Sequence, residues 1–103
     1  MTLYTVVIRY SKSKEEVAAV VEAHRAYLDG FVSSGMLLAS GPLETADGGV
    51  LWVRSENRDA LEKMIAGDPY SLAGVADFSV LAFEVKKLAP SISEMMSREI
   101  FSV

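Results

Sequence analysis

Alternating and three-to-four-residue apolar recurrences mark out a clear order of elements along this chain. Leu3 to Tyr10 is rich in β-branched and aromatic residues, the composition of a strand. Tyr4, Val6, Ile8 and Tyr10 fall on one face, and Leu3, Thr5, Val7 and Arg9 on the other. Both faces are largely apolar, so both are expected to be covered. Ser13 and Glu16 have the spacing of a capping box and open a predicted helix running to about Ser34. Along it Val17, Val20, Val21, His24, Leu28 and Phe31 make one apolar stripe, with Glu15, Glu22, Arg25 and Asp29 mostly opposite. Gly35 is the stop. Gly30 inside the helix costs about 1 kcal/mol relative to Ala and points to close packing or fraying there.

Met36 to Ser40 reads as a second strand, ended by Gly41-Pro42. Glu44 to Gly49, with Asp47-Gly48-Gly49, reads as a hairpin turn, and Val50 to Arg54 as a third strand. A second helix starts near Ser55 or Asn57, turns Leu61, Met64 and Ile65 inward, and ends at Gly67. A loop with at most a short turn covers Ser71 to Asp77, before a long fourth strand from Phe78 to Leu88. The order β-α-β-β-α-β predicts an α+β, ferredoxin-like fold: a four-stranded antiparallel sheet with two helices on one face. Residues 1–88 form that domain. In the tail, residues 89–103, Pro90 ends the strand and Ser91 and Glu94 form a second capping box. Ile92, Met96 and Ile100 lie four apart, as in a short amphipathic helix. Such a helix is unstable alone, so it is expected to pack on its own domain or on a partner.

Composition sharpens this picture. A chain of 103 residues supports one core, yet half of it is apolar and its mean hydropathy is +0.25. That is more apolar side chain than a small monomer readily hides. The sheet face opposite the helices is therefore expected to be covered by a second copy, giving a homodimer or a higher homo-oligomer. A formal charge of −4 without any basic run argues against nucleic acid. No apolar run is long enough to span a membrane, and the start lacks the pattern of a signal peptide. The absence of Cys rules out disulfides, thiolate catalysis and zinc–thiolate sites. A soluble cytoplasmic protein is the expectation.

The candidate chemistry rests on His24, the only histidine, and on Ala66-Gly67-Asp68-Pro69-Tyr70. Gly67 is expected to end a helix at positive φ, and Pro69 pushes Asp68 out of the α region. The Asp68 carboxylate is then aimed in a fixed direction. Taken singly, His24 is also read as core packing and Asp68 as a turn former. If they meet, the carboxylate orients the imidazole, fixes its tautomer and stabilises the imidazolium. A neutral imidazole then serves as a general base worth about 10²–10⁴-fold. With no activated Ser or Cys beside it, proton abstraction is favoured over acyl transfer, as in isomerisation or elimination next to a carbonyl or phenol. One His without Cys falls short of the about three ligands a catalytic metal needs, so neither metal nor cofactor is expected. Gly41-Pro42 is either a plain turn or a place where backbone approaches a ligand. Tyr27, one step off the His24 stripe, and Tyr70, two residues after Asp68, are the candidate phenols. A non-catalytic small-molecule binding module and a structural or regulatory homodimer are the alternative readings.

His24-Arg25-Ala26-Tyr27-Leu28, Ser34 through Leu43, Gly48-Gly49-Val50-Leu51 and Ala66 through Tyr70 together resemble the YCII (YciI-like) family in order and spacing, over roughly residues 3 to 88. The resemblance implies a dimeric α+β barrel of ferredoxin-like domains. It also implies an enzyme whose His and Asp correspond to His24 and Asp68. A related activity in the family is dehydrochlorination of a chlorinated hydroxyquinol, and muconolactone isomerase shares the fold. Two positions depart from the pattern. Tyr70 stands where Phe is more usual, which bears on the pocket. The last strand ends Phe83-Glu84-Val85-Lys86 without a Pro-Trp-like close, which bears on the rim or the dimer edge.

Overall fold

The computed structural model describes residues 1–101, with side chains through Met96. At its centre is β1 (Thr2–Tyr10), flanked by β3 (Gly48–Arg54) on one side and β4 (Ala76–Glu84) on the other. The edge strand β2 (Leu37–Pro42) pairs with β3, so the antiparallel order is β2-β3-β1-β4. This is the ferredoxin-like arrangement that the element order predicts. Tyr4, Val6 and Ile8 of β1 turn inward, as do Leu51 and Val53 of β3, and all are buried. They pack with Val17, Leu28, Leu61, Met64 and Tyr70 from the helical layer into one core.

The helical layer is more broken than the apolar stripe suggests. The single helix expected over residues 13–34 is two, α1 (Lys14–Ala18) and α2 (Val21–Ser34). Ser13 caps α1, its hydroxyl oxygen accepting from the Glu16 N–H. The break falls at Val20, with φ −117° and ψ −2°, beside a second β-branched residue where helix propensity is low. Because Val17 and Leu28 are both buried in the core, packing of two short segments outweighs continuity of one long one. Gly35 ends α2 at φ 81°, the left-handed conformation that glycine adopts without strain.

Gly30 has open space where a side chain would start, so close packing does not account for it. Gly30→Ala should stabilise the fold by about 1 kcal/mol, read as a higher midpoint in urea with an unchanged m-value.

The strand boundaries also move. β2 runs on through Gly41 and Pro42, and β3 begins at Gly48, because Gly48 and Gly49 pair with Arg9 and Ile8 of β1. Ladder pairing absorbs the glycines expected in the turn, and the left-handed residue is Ala46 at φ 62°. Helix α3 (Arg58–Gly67) is capped by Asn57, whose side chain accepts from the Ala60 N–H. A further short helix, α4 (Pro69–Leu72), occupies part of the expected loop, and β4 starts at Ala76 and stops at Glu84, both earlier than expected. Pro90 opens the tail helix α5 (Pro90–Phe101), in place of Ser91, with Ile92 and Ser93 donating to the Ala89 carbonyl. Within the single chain Met96 is buried and Ile92 is exposed. The Ile100 side chain lies outside the described ones. Among the described residues no helix is long and apolar enough to cross a membrane.

The second sheet face remains apolar. Leu3 lies opposite Phe83, and Thr5 lies opposite both Leu81 and Trp52. Trp52, Leu81 and Phe83 are each more than two-fifths exposed.

Candidate active site

Pro69 determines how Asp68 is held. A proline disfavours the α region for the residue before it, and Asp68 is extended at φ −65°, ψ 132°. The proline also starts a helix readily, since its missing N–H would have no helical partner there. Asp68 is therefore both the C-cap of α3 and the N-cap of α4. Its N–H donates to the Ile65 carbonyl, its own carbonyl accepts from Ser71 and Leu72, and its Oδ1 accepts from the Tyr70 N–H at 2.8 Å. The carboxylate is almost fully buried and has little freedom.

His24 comes from the buried face of α2. Its Nδ1 lies 2.8 Å from Oδ1 and 3.0 Å from Oδ2 of Asp68. A carboxylate that already accepts from a backbone N–H requires the proton to sit on Nδ1, which donates to it. Nε2 is thereby left as the lone-pair nitrogen. The Tyr70 ring stacks on the imidazole with centroids 3.8 Å apart and planes 9° from parallel. An imidazolium formed here would meet a carboxylate at its edge and a π face alongside it.

These groups border a cavity of about 190 Å³. His24, Arg25 and Leu28 of α2 line it, with Ile8, Tyr10 and Tyr70, and with Ser40, Gly41 and Pro42 of β2 beside Gly48 and Gly49 of β3. Gly48 is required by space: a Cβ there would sit 1.8 Å from the Ile8 carbonyl oxygen. The lining is mainly apolar, with few polar groups, as in small-molecule sites. Tyr70 meets Tyr10 edge-on at 5.7 Å between centroids. Burial above all, then the neighbouring Tyr10 and the nearby Asp68 charge, hold the Tyr70 phenol well above its ordinary pKa. Arg25 pulls weakly the other way.

Of the residues singled out in the sequence, His24, Asp68 and Tyr70 come together, and Gly41 and Pro42 line the same cavity. Tyr27 does not. Its hydroxyl donates to the Met64 carbonyl at 2.8 Å, tying α2 to the end of α3. Burial and the Asp68 charge raise its pKa. Gly67 is likewise not at positive φ. A Cβ there would lie 2.6 Å from the Tyr27 hydroxyl oxygen, so close approach is what calls for glycine. Arg9 pairs with Asp47 on the surface. Sequence reasoning placed Arg25 with the solvent-facing charges and passed over Ser40. The only hint of Arg25 was its adjacency to His24, and the bulge between Leu37 and Ala39 that sets the facing of Ser40 leaves no clear mark in the sequence. Among the described residues, no three His, Cys, Asp or Glu side chains gather as a metal site would need.

Fold and site together define a ferredoxin-like α+β domain with a buried imidazole–carboxylate pair at a small cavity. The chain belongs to the YCII-related domain family, whose pattern spans residues 2–84. No curated protein matches it in sequence. Among solved structures it is similar to 5-chloro-2-hydroxyhydroquinone dehydrochlorinase from Burkholderia phenoliruptrix AC1100, solved with 2,5-dihydroxybenzoquinone. That likeness has a TM-score of 0.63 at 20% identity, over 84% of this chain and 95% of the other. It is also similar to an antibiotic biosynthesis monooxygenase, with TM-score 0.57 at 15% identity over 82% and 99% of the two chains. SnoaB, a cofactor-independent oxygenase from Streptomyces nogalater, gives 0.52 at 13% identity over 86% and 96%. At these identities the likeness is one of fold.

Proposed function

We propose that this protein is a small-molecule enzyme in which His24, oriented by Asp68, moves a proton on a single-ring hydroxylated substrate. The observation that carries the reading is the double approach of Nδ1 to the Asp68 carboxylate in a residue that also lines the cavity. It makes Nε2 the base and Asp68 the stabiliser of the positive charge that results. Size supports the substrate class: an apolar cavity of about 150 Å³ accepts benzene, and the volume here, about 190 Å³, suits one substituted ring. Tyr70, Gly41 and Pro42 would form the walls against that ring.

The reaction is an isomerisation or an elimination. In the eliminating case Nε2 takes a hydroxyl proton and returns it to the chlorine-bearing ring carbon as that hydroxyl becomes a carbonyl. Loss of a second hydroxyl proton then forms the quinone, and chloride leaves with the carbon–chlorine bonding pair. The dehydrochlorinase of similar fold makes chlorinated hydroxyquinols the first substrates to try. Wild-type protein should release chloride from 5-chloro-2-hydroxyhydroquinone or exchange ring protons of hydroxyquinols with deuterated solvent, read by ion chromatography and NMR. No turnover and no exchange across such a series would overturn the reading.

We further infer a homodimer through the open sheet face. A contiguous patch containing Trp52, Leu81 and Phe83 is costly to leave in water, and a second copy laid sheet to sheet would cover it. Light scattering at micromolar concentration should give about twice the 11.2 kDa chain mass, and Leu81→Asp should shift the protein toward monomer. A wild-type monomer would refute this assembly.

A further inference from the structure

We propose that Tyr10 is a second catalytic residue, its hydroxyl donating a hydrogen bond to the substrate oxygen on which negative charge develops as His24 removes the proton. The inference rests on the acid–base reading above and supplies what that reading lacks. Proton abstraction beside a carbonyl or phenol leaves charge on oxygen, and a fixed donor aimed at that oxygen lowers the barrier. Tyr10 ends β1 on the helix-facing side and lines the same cavity as His24.

Tyr70 holds the Tyr10 ring in place. Its own ring is fixed by stacking on His24 and meets the Tyr10 ring edge-on at 5.7 Å between centroids. Tyr70 is 2% exposed, whereas Tyr10 is only half-buried and lines the cavity. Of the two phenols Tyr10 is therefore the more open to a bound ring, and a phenol O–H is a donor that an oxygen gathering negative charge can accept. Arg25 lines the same cavity.

The test pairs a phenolate with an oxygen-free ring of the same size. Wild type should bind 4-nitrophenolate at least tenfold more tightly than 4-nitrotoluene, by equilibrium titration. Tyr10→Phe should abolish that preference with 4-nitrotoluene affinity unchanged. In the chloride-release or exchange assay, Tyr10→Phe should lower kcat by about 10²-fold, with KM changed far less. A preference that survives Tyr10→Phe overturns the inference while leaving the His24 mechanism standing. A preference lost in Tyr10→Phe, in a protein whose exchange is indifferent to His24, overturns the acid–base reading and retains Tyr10 as an anion donor.

Discussion

His24→Gln should lower kcat for chloride release or proton exchange by about 10²–10⁴-fold while the protein folds and binds ring compounds as before. The size of the effect follows from the geometry. Nδ1 is committed to Asp68, so the basicity of the site resides on Nε2. Glutamine occupies a comparable volume, but its amide is not a base at any working pH. The stack on Tyr70 and the burial of the position tolerate a planar amide, which separates chemistry from folding. Heteronuclear NMR of the wild-type imidazole supplies an independent check. Nδ1 should carry the proton, and Asp68→Asn should perturb that tautomer because an amide can present a donor as well as an acceptor. A His24→Gln protein with wild-type turnover would reduce the pair to a structural contact.

Asp68→Ala should be among the most destabilising substitutions in the molecule, costing about 3 kcal/mol. Loss of an N-cap accounts for about 1 kcal/mol of this. A buried donor left without a partner costs about 1–3 kcal/mol more. Alanine orphans both Nδ1 of His24 and the Tyr70 N–H, and neither is positioned to reach bulk water easily. For a domain of this size the thermal midpoint should fall by about 10–20 °C, measured at fixed protein concentration because assembly contributes to stability. Asp68→Asn, which keeps an oxygen for the Tyr70 N–H, should lose much less stability yet still lose activity. Equal stability of Asp68→Ala and wild type would show that the carboxylate is not what fastens α4 and His24 together.

Local signals identify the strands, the two helical regions and their caps, because each depends on neighbours a few residues away. Ser13, Asn57 and Gly35 do what their chemistry predicts. The misplacements share one cause, namely long-range pairing or packing that outweighs a local preference. Gly48 and Gly49 suit a turn by themselves, but pairing with β1 draws them into a strand and pushes the left-handed position onto Ala46. Gly67 suits a positive-φ stop, yet Tyr27 from another helix is what excludes a side chain there. Pro69, as a helix breaker, indicates the end of α3, while its equal fitness to begin α4 emerges only once Asp68 caps it.

Two apolar faces on β1, the single histidine on a helical stripe and the backbone of Asp68 restrained by Pro69 were legible in the sequence by itself, since spacing and covalent geometry dictate them. Their meeting was not. His24 and Asp68 are 44 residues apart, and only the packing of α2 against α3 and α4 decides that the imidazole lands on the carboxylate. The same packing decides that Tyr27 ties helices together while Tyr70 reaches the site, although both are tyrosines next to candidate residues. Sequence spacing specifies the direction of a side chain relative to its own element. The distance between two elements is set by how their side chains fill the space between them, and no local pattern records it.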